Sequence, residues 1–153
     1  MQLSQQSSLI LNGKIEEVFP LFGFWEEKKW AFGWKPVIVF PDFPDIKEGT
    51  VFKTESSFIE EPSYNWIISK YEPENYFIEY IVSTQNRIWV IKVQCLSLDN
   101  QKTKAIISYS YIALNETGKS YNQLALNEIF KSNLKDWEEA INYYIETGNI
   151  LEP

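Results

Sequence analysis

The chain has no histidine, one cysteine at Cys95, and 21 Asp and Glu against 14 Lys and Arg. Without histidine there are no Ser-His or Cys-His nucleophile pairs, and the common zinc and iron sites are excluded. Acid or base chemistry would fall to a carboxylate, a tyrosine or a lysine of shifted pKa. A lone cysteine makes no internal disulfide, and Cys95, at an inward strand position, reads as a small apolar core residue. Acidic pairs stand at Glu16 and Glu17, Glu26 and Glu27, Glu60 and Glu61, and Glu138 and Glu139. Neighbouring residues on a helix do not face one point, so these are expected on solvated surface rather than as a paired-carboxylate centre or a cation site. The tyrosines hold more chemistry. Strand alternation puts Tyr80, Tyr109 and Tyr111 on one inward side with Trp89, and a buried phenol needs a hydrogen-bond partner, supplied by the core or by a ligand. Arg87, beside a turn at Asn86, is expected at a strand end, either solvated or meeting a ligand carboxylate.

The elements that must position these residues follow from periodicity. From Gly49 onward apolar residues recur every second position. Phe52, Thr54, Ser56 and Phe58 alternate with Lys53, Glu55 and Ser57; then Tyr76, Ile78, Tyr80 and Val82 face in with Glu79 out. Trp89, Ile91, Val93 and Cys95 face in against Lys92 and Gln94, and Ala105, Ile107, Tyr109 and Tyr111 oppose Lys104, Ser108 and Ser110. Tyr64 to Tyr71 is a further strand, apolar on both faces. Short polar turns join these runs, the pattern of an antiparallel meander with one covered face.

The cover is expected from about Ser120 to Gly148. Phe130, Leu134, Trp137, Ile141, Tyr144 and Ile145 step by three and four, as in one long amphipathic helix of about 40 Å. Ser120 with Gln123 reads as its capping box, and Gly148 as its left-handed end. Before the meander lie a first strand, Leu3 to Leu11, and a short helix through Ile15, Val18, Phe19 and Phe22 that Pro20 shortens or kinks. A second short helix over Phe24 to Trp34 ends near Gly33. Pro36, Pro41 and Pro44 then make an extended loop or edge segment. The Trp25, Trp30 and Trp34 cluster either anchors these helices, the preferred reading, or lids a cavity.

At 153 residues the chain fits one domain over residues 1–153 with one core, free of repeats or linkers. Six Trp, nine Tyr and ten Phe exceed what an ordinary core needs, so aromatic packing or an aromatic-lined cavity is expected. A net charge of -7 repels phosphate backbones and anionic lipids, so neither nucleic acid nor a membrane surface is an expected partner. No segment has the apolar length of a membrane span or the form of a signal peptide, and a cytoplasmic protein is expected.

Val18-Phe19-Pro20-Leu21-Phe22, then Trp30, Gly33, Trp34 and Pro36, then Glu48-Gly49-Thr50-Val51-Phe52 follow one another along the chain. Ser108 with Tyr109, Leu114, Gly118, Trp137, Ala140, Ile141 and Gly148 continue the series. With the element order, these motifs resemble a bacterial group of the helix-grip superfamily called START-like or SRPBCC, which includes Bet v 1-type allergens and polyketide cyclases. The resemblance implies an α+β fold with a curved antiparallel sheet around a long C-terminal helix and a cavity between them. It also implies an apolar or amphipathic small molecule as partner; no cofactor is expected, and no metal, given the missing histidines. The expected lining is Tyr80, Trp89, Tyr109, Tyr111, Phe130 and Trp137, with Trp30, Trp34 and Arg87 at the mouth. Members include carriers, cyclases or aromatases and activators of chaperone ATPases, so non-catalytic ligand binding leads, with a cyclase-like enzyme and a protein-partner module as alternatives.

Overall fold

A computed structural model describes residues 2–153. Strands β1 (Gln2–Leu11), β2 (Val37–Phe40), β3 (Val51–Phe58), β4 (Glu61–Glu72), β5 (Phe77–Ser83), β6 (Arg87–Asp99) and β7 (Lys102–Ala113) make one antiparallel sheet. Its order is β1-β7-β6-β5-β4-β3-β2. β2 to β7 therefore form a meander, and β1 returns to pair with β7 in unbroken register from Gln2–Ile112 to Leu11–Thr103. Register shifts interrupt the β2–β3, β3–β4, β4–β5 and β6–β7 pairs. Such bulges bend the strands and increase their twist, which curves the sheet around what it covers.

The expected inward sets of β5, β6 and β7 are the observed ones. Ile78, Tyr80, Val82, Trp89, Ile91, Val93, Cys95, Ala105, Ile107, Tyr109 and Tyr111 are all buried. Burial pushes the Cys95 thiol up to about 12, as suits an inert core residue. β4 could not be read from its two apolar faces because its parity changes partway. Trp66 and Ile68 face in, the register then shifts between Ile68 and Lys70, and Tyr71 beyond the shift stacks on Phe19 at 6.2 Å. Tyr76 belongs to the preceding turn rather than to β5, in a left-handed conformation with φ 53°.

Between β1 and β2 the chain makes α1 (Ile15–Val18), and the backbone tightens to a 3-10 turn at Phe19–Phe22, with Pro20 where no amide is required. The second expected helix is only a 3-10 turn, Glu26–Lys29. Trp30 and Trp34 fasten it, donating from their indole nitrogens to the carbonyls of Leu21 at 2.7 Å and Phe24 at 2.6 Å. β2 is the expected edge segment, bounded by Pro36 and Pro41.

The long C-terminal helix is not continuous. It comprises α2 (Glu116–Ile129) and α3 (Lys135–Thr147), separated at Asn133 and Leu134, whose φ values are 54° and 62°. The apolar spacing nevertheless runs unbroken through the interruption, because Phe130, Leu134 and Ile141 all bury their side chains. The break is held by its surroundings: Ser7 of β1 donates to the Asn133 carbonyl at 3.0 Å, and Leu134 is fully buried. The helix begins earlier than Ser120, at Asn115, whose side chain accepts from the Gly118 amide at 2.9 Å. It ends as expected, at Gly148 with φ 75°.

The break also lets α3 lie along the free edge of β1. Glu138 accepts the Ile10 amide and Asn142 the Asn12 amide, both at 2.8 Å, while Asn142 donates to the Ile10 carbonyl at 3.1 Å. These side chains satisfy an edge that would otherwise invite pairing with another chain. Glu138, expected to be merely solvated, is thus a structural residue.

Candidate functional site

A cavity of about 600 Å³ lies between the inner face of the sheet and the helical segments. That is within the range of small-molecule sites and well above a packing defect. The sheet side is aromatic: Tyr64 and Trp66 from β4, Tyr80 from β5, Trp89 from β6, and Tyr109 and Tyr111 from β7. Trp30 and Trp34, Trp137 of α3, and Leu124, Ala125, Glu128 and Ile129 of α2 close the other side. Leu124 and Glu128 are both exposed to solvent and part of the lining, so the opening lies along this edge of α2. On the same face of α2, one turn before Leu124, Tyr121 stacks on Phe58 of β3 at 4.6 Å and its hydroxyl meets Glu60.

Tyr80, Trp89, Tyr109, Tyr111 and Trp137 all sit on the cavity wall, as do Trp30 and Trp34. Phe130 does not. It is buried at the C-terminal end of α2, its ring edge-on to Tyr109 at 5.8 Å, and it supports that tyrosine from outside the lining. Trp66 and Tyr64 were missed because the bulge in β4 hides its inward parity.

Arg87 is not a rim residue. It is 1% exposed, and its guanidinium grips Glu61 through Nη2 to Oε1 at 2.8 Å and Nε to both carboxylate oxygens at 3.1 Å. Glu61, expected on the surface, is equally buried and also accepts from Thr84 Oγ1 at 2.6 Å and Asn86 Nδ2 at 3.4 Å. The Arg87 guanidinium carbon lies 4.5 Å from the Trp89 ring centroid, with Tyr64, Tyr111 and Tyr121 at 5.7 to 5.8 Å. Its Nη1 has no hydrogen-bond partner among the described residues, and the surrounding ring faces offset its charge. Arg87 nevertheless belongs to the cavity lining, with its charge matched by Glu61.

The residue that sequence reasoning misplaced most is Glu27. Its neighbours Lys28 and Lys29 are exposed, and Glu26 pairs with Lys29 at the surface. Glu27 instead lines the cavity and makes no side-chain hydrogen bond or ion pair among the described residues. In a 3-10 turn, residues three apart eclipse, so Glu27 shares its side with Trp30; that spacing was the available signal. Burial pushes the Glu27 carboxyl well above its ordinary range. Tyr80 and Tyr109 are likewise pushed up, first by burial, and the Glu27 charge adds to the shift in both. Burial also raises Tyr111, partly opposed by Arg87.

Two outcomes follow from this geometry. In the folded state Glu27 holds its proton above the usual 4.5, whereas the unfolded chain ionises there. Folding stability tied to this group is thus complete at lower pH and is lost as pH rises toward the folded pKa. Glu27→Gln is therefore expected to equal the parent protein in stability near pH 4 and to exceed it at pH 7, as read by urea denaturation at both values. Tyr80 and Tyr109, the titratable groups facing Glu27 from the sheet, stay protonated throughout, and Glu128 lies at the opening. The second outcome concerns Tyr80, whose hydroxyl donates to the Phe22 carbonyl at 2.7 Å. Tyr80→Phe strands that carbonyl and is expected to lower stability by about 1–2 kcal/mol in the same measurement. The hydroxyls of Tyr109 and Tyr111 have no such partner among the described residues, which leaves them to whatever fills the cavity.

No family model matches the chain, and no characterised protein matches it in sequence. Solved structures do match it in fold. Norcoclaurine synthase from Thalictrum flavum superposes with a TM-score of 0.68 at 12% identity, covering 96% of this chain and 88% of the other. The Zhui aromatase/cyclase from Streptomyces sp. R1128 gives 0.70 at 10% identity over 95% and 94% of the two chains. Ara h 8.0201 gives 0.66 at 14% identity over 96% and 99%. The chain has the Bet v 1-like helix-grip fold, α+β with a seven-stranded antiparallel sheet, that the motif resemblance implied. No helix among the described residues is long and apolar enough to cross a membrane.

Proposed function

We propose that this protein binds an apolar or amphipathic small molecule in the cavity between its sheet and its C-terminal helices, without transforming it. The observation that carries this reading is an open, aromatic-walled space of about 600 Å³ where a purely structural core would be filled. Structures of the same fold include enzymes, so fold likeness supports a ligand and leaves the chemistry to the cavity's own groups.

Tryptophans at 30, 34, 66, 89 and 137 line the cavity, so ligand entry reports itself in their fluorescence. Native mass spectrometry of the purified protein, then titration with a fatty acid, a flavonoid-like aromatic and a sterol, tests the proposal. A stoichiometric complex with any of them supports it; no bound species and no saturable fluorescence change with all three overturns it.

One observation favours the cyclase-like alternative. Glu27 and the unbonded hydroxyls of Tyr109 and Tyr111 occupy one cavity, and a protonated carboxyl in apolar surroundings is suited to donate a proton. If that reading holds, incubation of a reactive polyketone with the parent protein gives a cyclised isomer, or its dehydrated product with water lost, resolved by chromatography with mass detection, and Glu27→Gln gives neither. Neither product with either protein removes the enzymatic reading and leaves the binding one.

A further inference from the structure

The ligand's polar group can be narrowed by what the cavity lacks as well as by what it holds. Its sole buried cation, Arg87, is neutralised by Glu61 in a closed pair. Arg87 lines the cavity, but Glu61 matches its charge, so an anionic headgroup would meet no net positive charge in the lining and would meet the carboxyls of Glu27 and Glu128. The Glu27 carboxyl, half-buried on the cavity wall, makes no side-chain hydrogen bond or ion pair among the described residues. Around it are ring systems whose faces attract cations. Trp30 is on the same side of the 3-10 turn and packs on Trp137 at 5.9 Å, and Trp137 packs on Tyr109 at 6.4 Å. Tyr80 and Tyr109 are close enough to feel the Glu27 charge. The net charge of -7 adds a field that draws cations toward the protein.

We propose that the cavity is a site for a monocationic amine carried on an apolar body, its ammonium pairing with the Glu27 carboxylate beside the rings of Trp30, Tyr80, Tyr109 and Trp137. The apolar body fills the space toward Trp66 and Trp89, away from the carboxylate. This assignment rests on the ligand-binding reading above and adds the class of headgroup. Charge selection comes from Glu27, while the aromatic faces offset the ammonium's desolvation.

Three isosteric probes separate the two layers of the claim: naphthylmethylamine, naphthylmethanol and naphthylacetate, titrated by calorimetry against the parent protein and Glu27→Gln. The parent is expected to bind the amine about 30-fold more tightly than the alcohol, with the carboxylate weakest, as for loss of one member of a buried charge pair. In Glu27→Gln that preference collapses to within about twofold, while the alcohol binds as before and so shows that the variant's cavity is intact. If the alcohol or the carboxylate binds the parent as tightly as the amine, the headgroup assignment is overturned and cavity binding stands. If no probe binds, the headgroup assignment falls, and the binding reading is decided by the fatty-acid, flavonoid and sterol titrations.

Discussion

Glu61→Ala is expected to lower the unfolding free energy by about 4 kcal/mol, a large share of the 5–15 kcal/mol typical of a domain. The reason is the charge left behind. Arg87 is 1% exposed, and without Glu61 its guanidinium keeps only ring faces and the Tyr64 hydroxyl at 3.4 Å. Thr84 and Asn86 lose their common acceptor at the same time. Replacing both charges with apolar groups removes the unpaired ion, so the Glu61→Leu, Arg87→Met double variant should recover most of the loss. Urea denaturation of Glu61→Leu, of Arg87→Met and of the double variant completes the cycle, with Glu61→Ala measured beside them. A Glu61→Ala loss below about 1 kcal/mol would mean that the pair behaves as a hydrated surface ion pair.

Gly118→Ala should be nearly as damaging, although intrinsic propensity argues the other way. Ala is favoured over Gly within a helix by about 1 kcal/mol. Here, however, a Cβ would stand 2.0 Å from the Asn86 carbonyl oxygen and 2.8 Å from its carbon, both backbone atoms. That carbonyl accepts the Leu114 amide at 2.8 Å, and the Asn86 side chain bonds Asn115, the cap of α2, at 2.9 Å. The clash can be relieved only by moving α2 away from the turn before β6, so overpacking wins and stability falls by about 3 kcal/mol. Because α2 bears one edge of the cavity opening, the variant should also show faster amide exchange across residues 116–129 and weaker probe binding. Unchanged exchange and stability would show that α2 does not need this close approach.

These two cases mark where local pattern stops being informative. Gly118 carries no turn signal and no positive φ; its reason is a backbone 32 residues earlier, which only the folded chain brings to it. Glu60 and Glu61 are the same residue type side by side, yet one meets Tyr121 at the surface and the other is sealed against Arg87. Glu26 and Glu27 divide in the same way, one pairing with Lys29 outside and one facing the cavity. Adjacent residues point in different directions, but which of the two points inward depends on how a short 3-10 turn or hairpin end is set against the sheet.

The sequence by itself determined the faces of the regular elements. Alternation in β5, β6 and β7 selected Tyr80, Trp89, Tyr109 and Tyr111, and the three-and-four spacing selected Leu134, Trp137 and Ile141, because a side chain's side is fixed by the local helical or strand period. The absence of histidine was likewise a property of composition alone. Tertiary structure decided what those faces enclose. The helix breaks at Asn133 and Leu134 without interrupting its apolar stripe, which sets α3 on β1 and α2 over the cavity; Phe130 consequently backs the wall instead of forming it. Whether inward aromatics fill a core or leave about 600 Å³ between them depends on the curvature of seven strands and the placement of two helices together. No local period contains that sum, and the burial of Arg87 and Glu61 and the place of Glu27 on the cavity wall are its direct consequence.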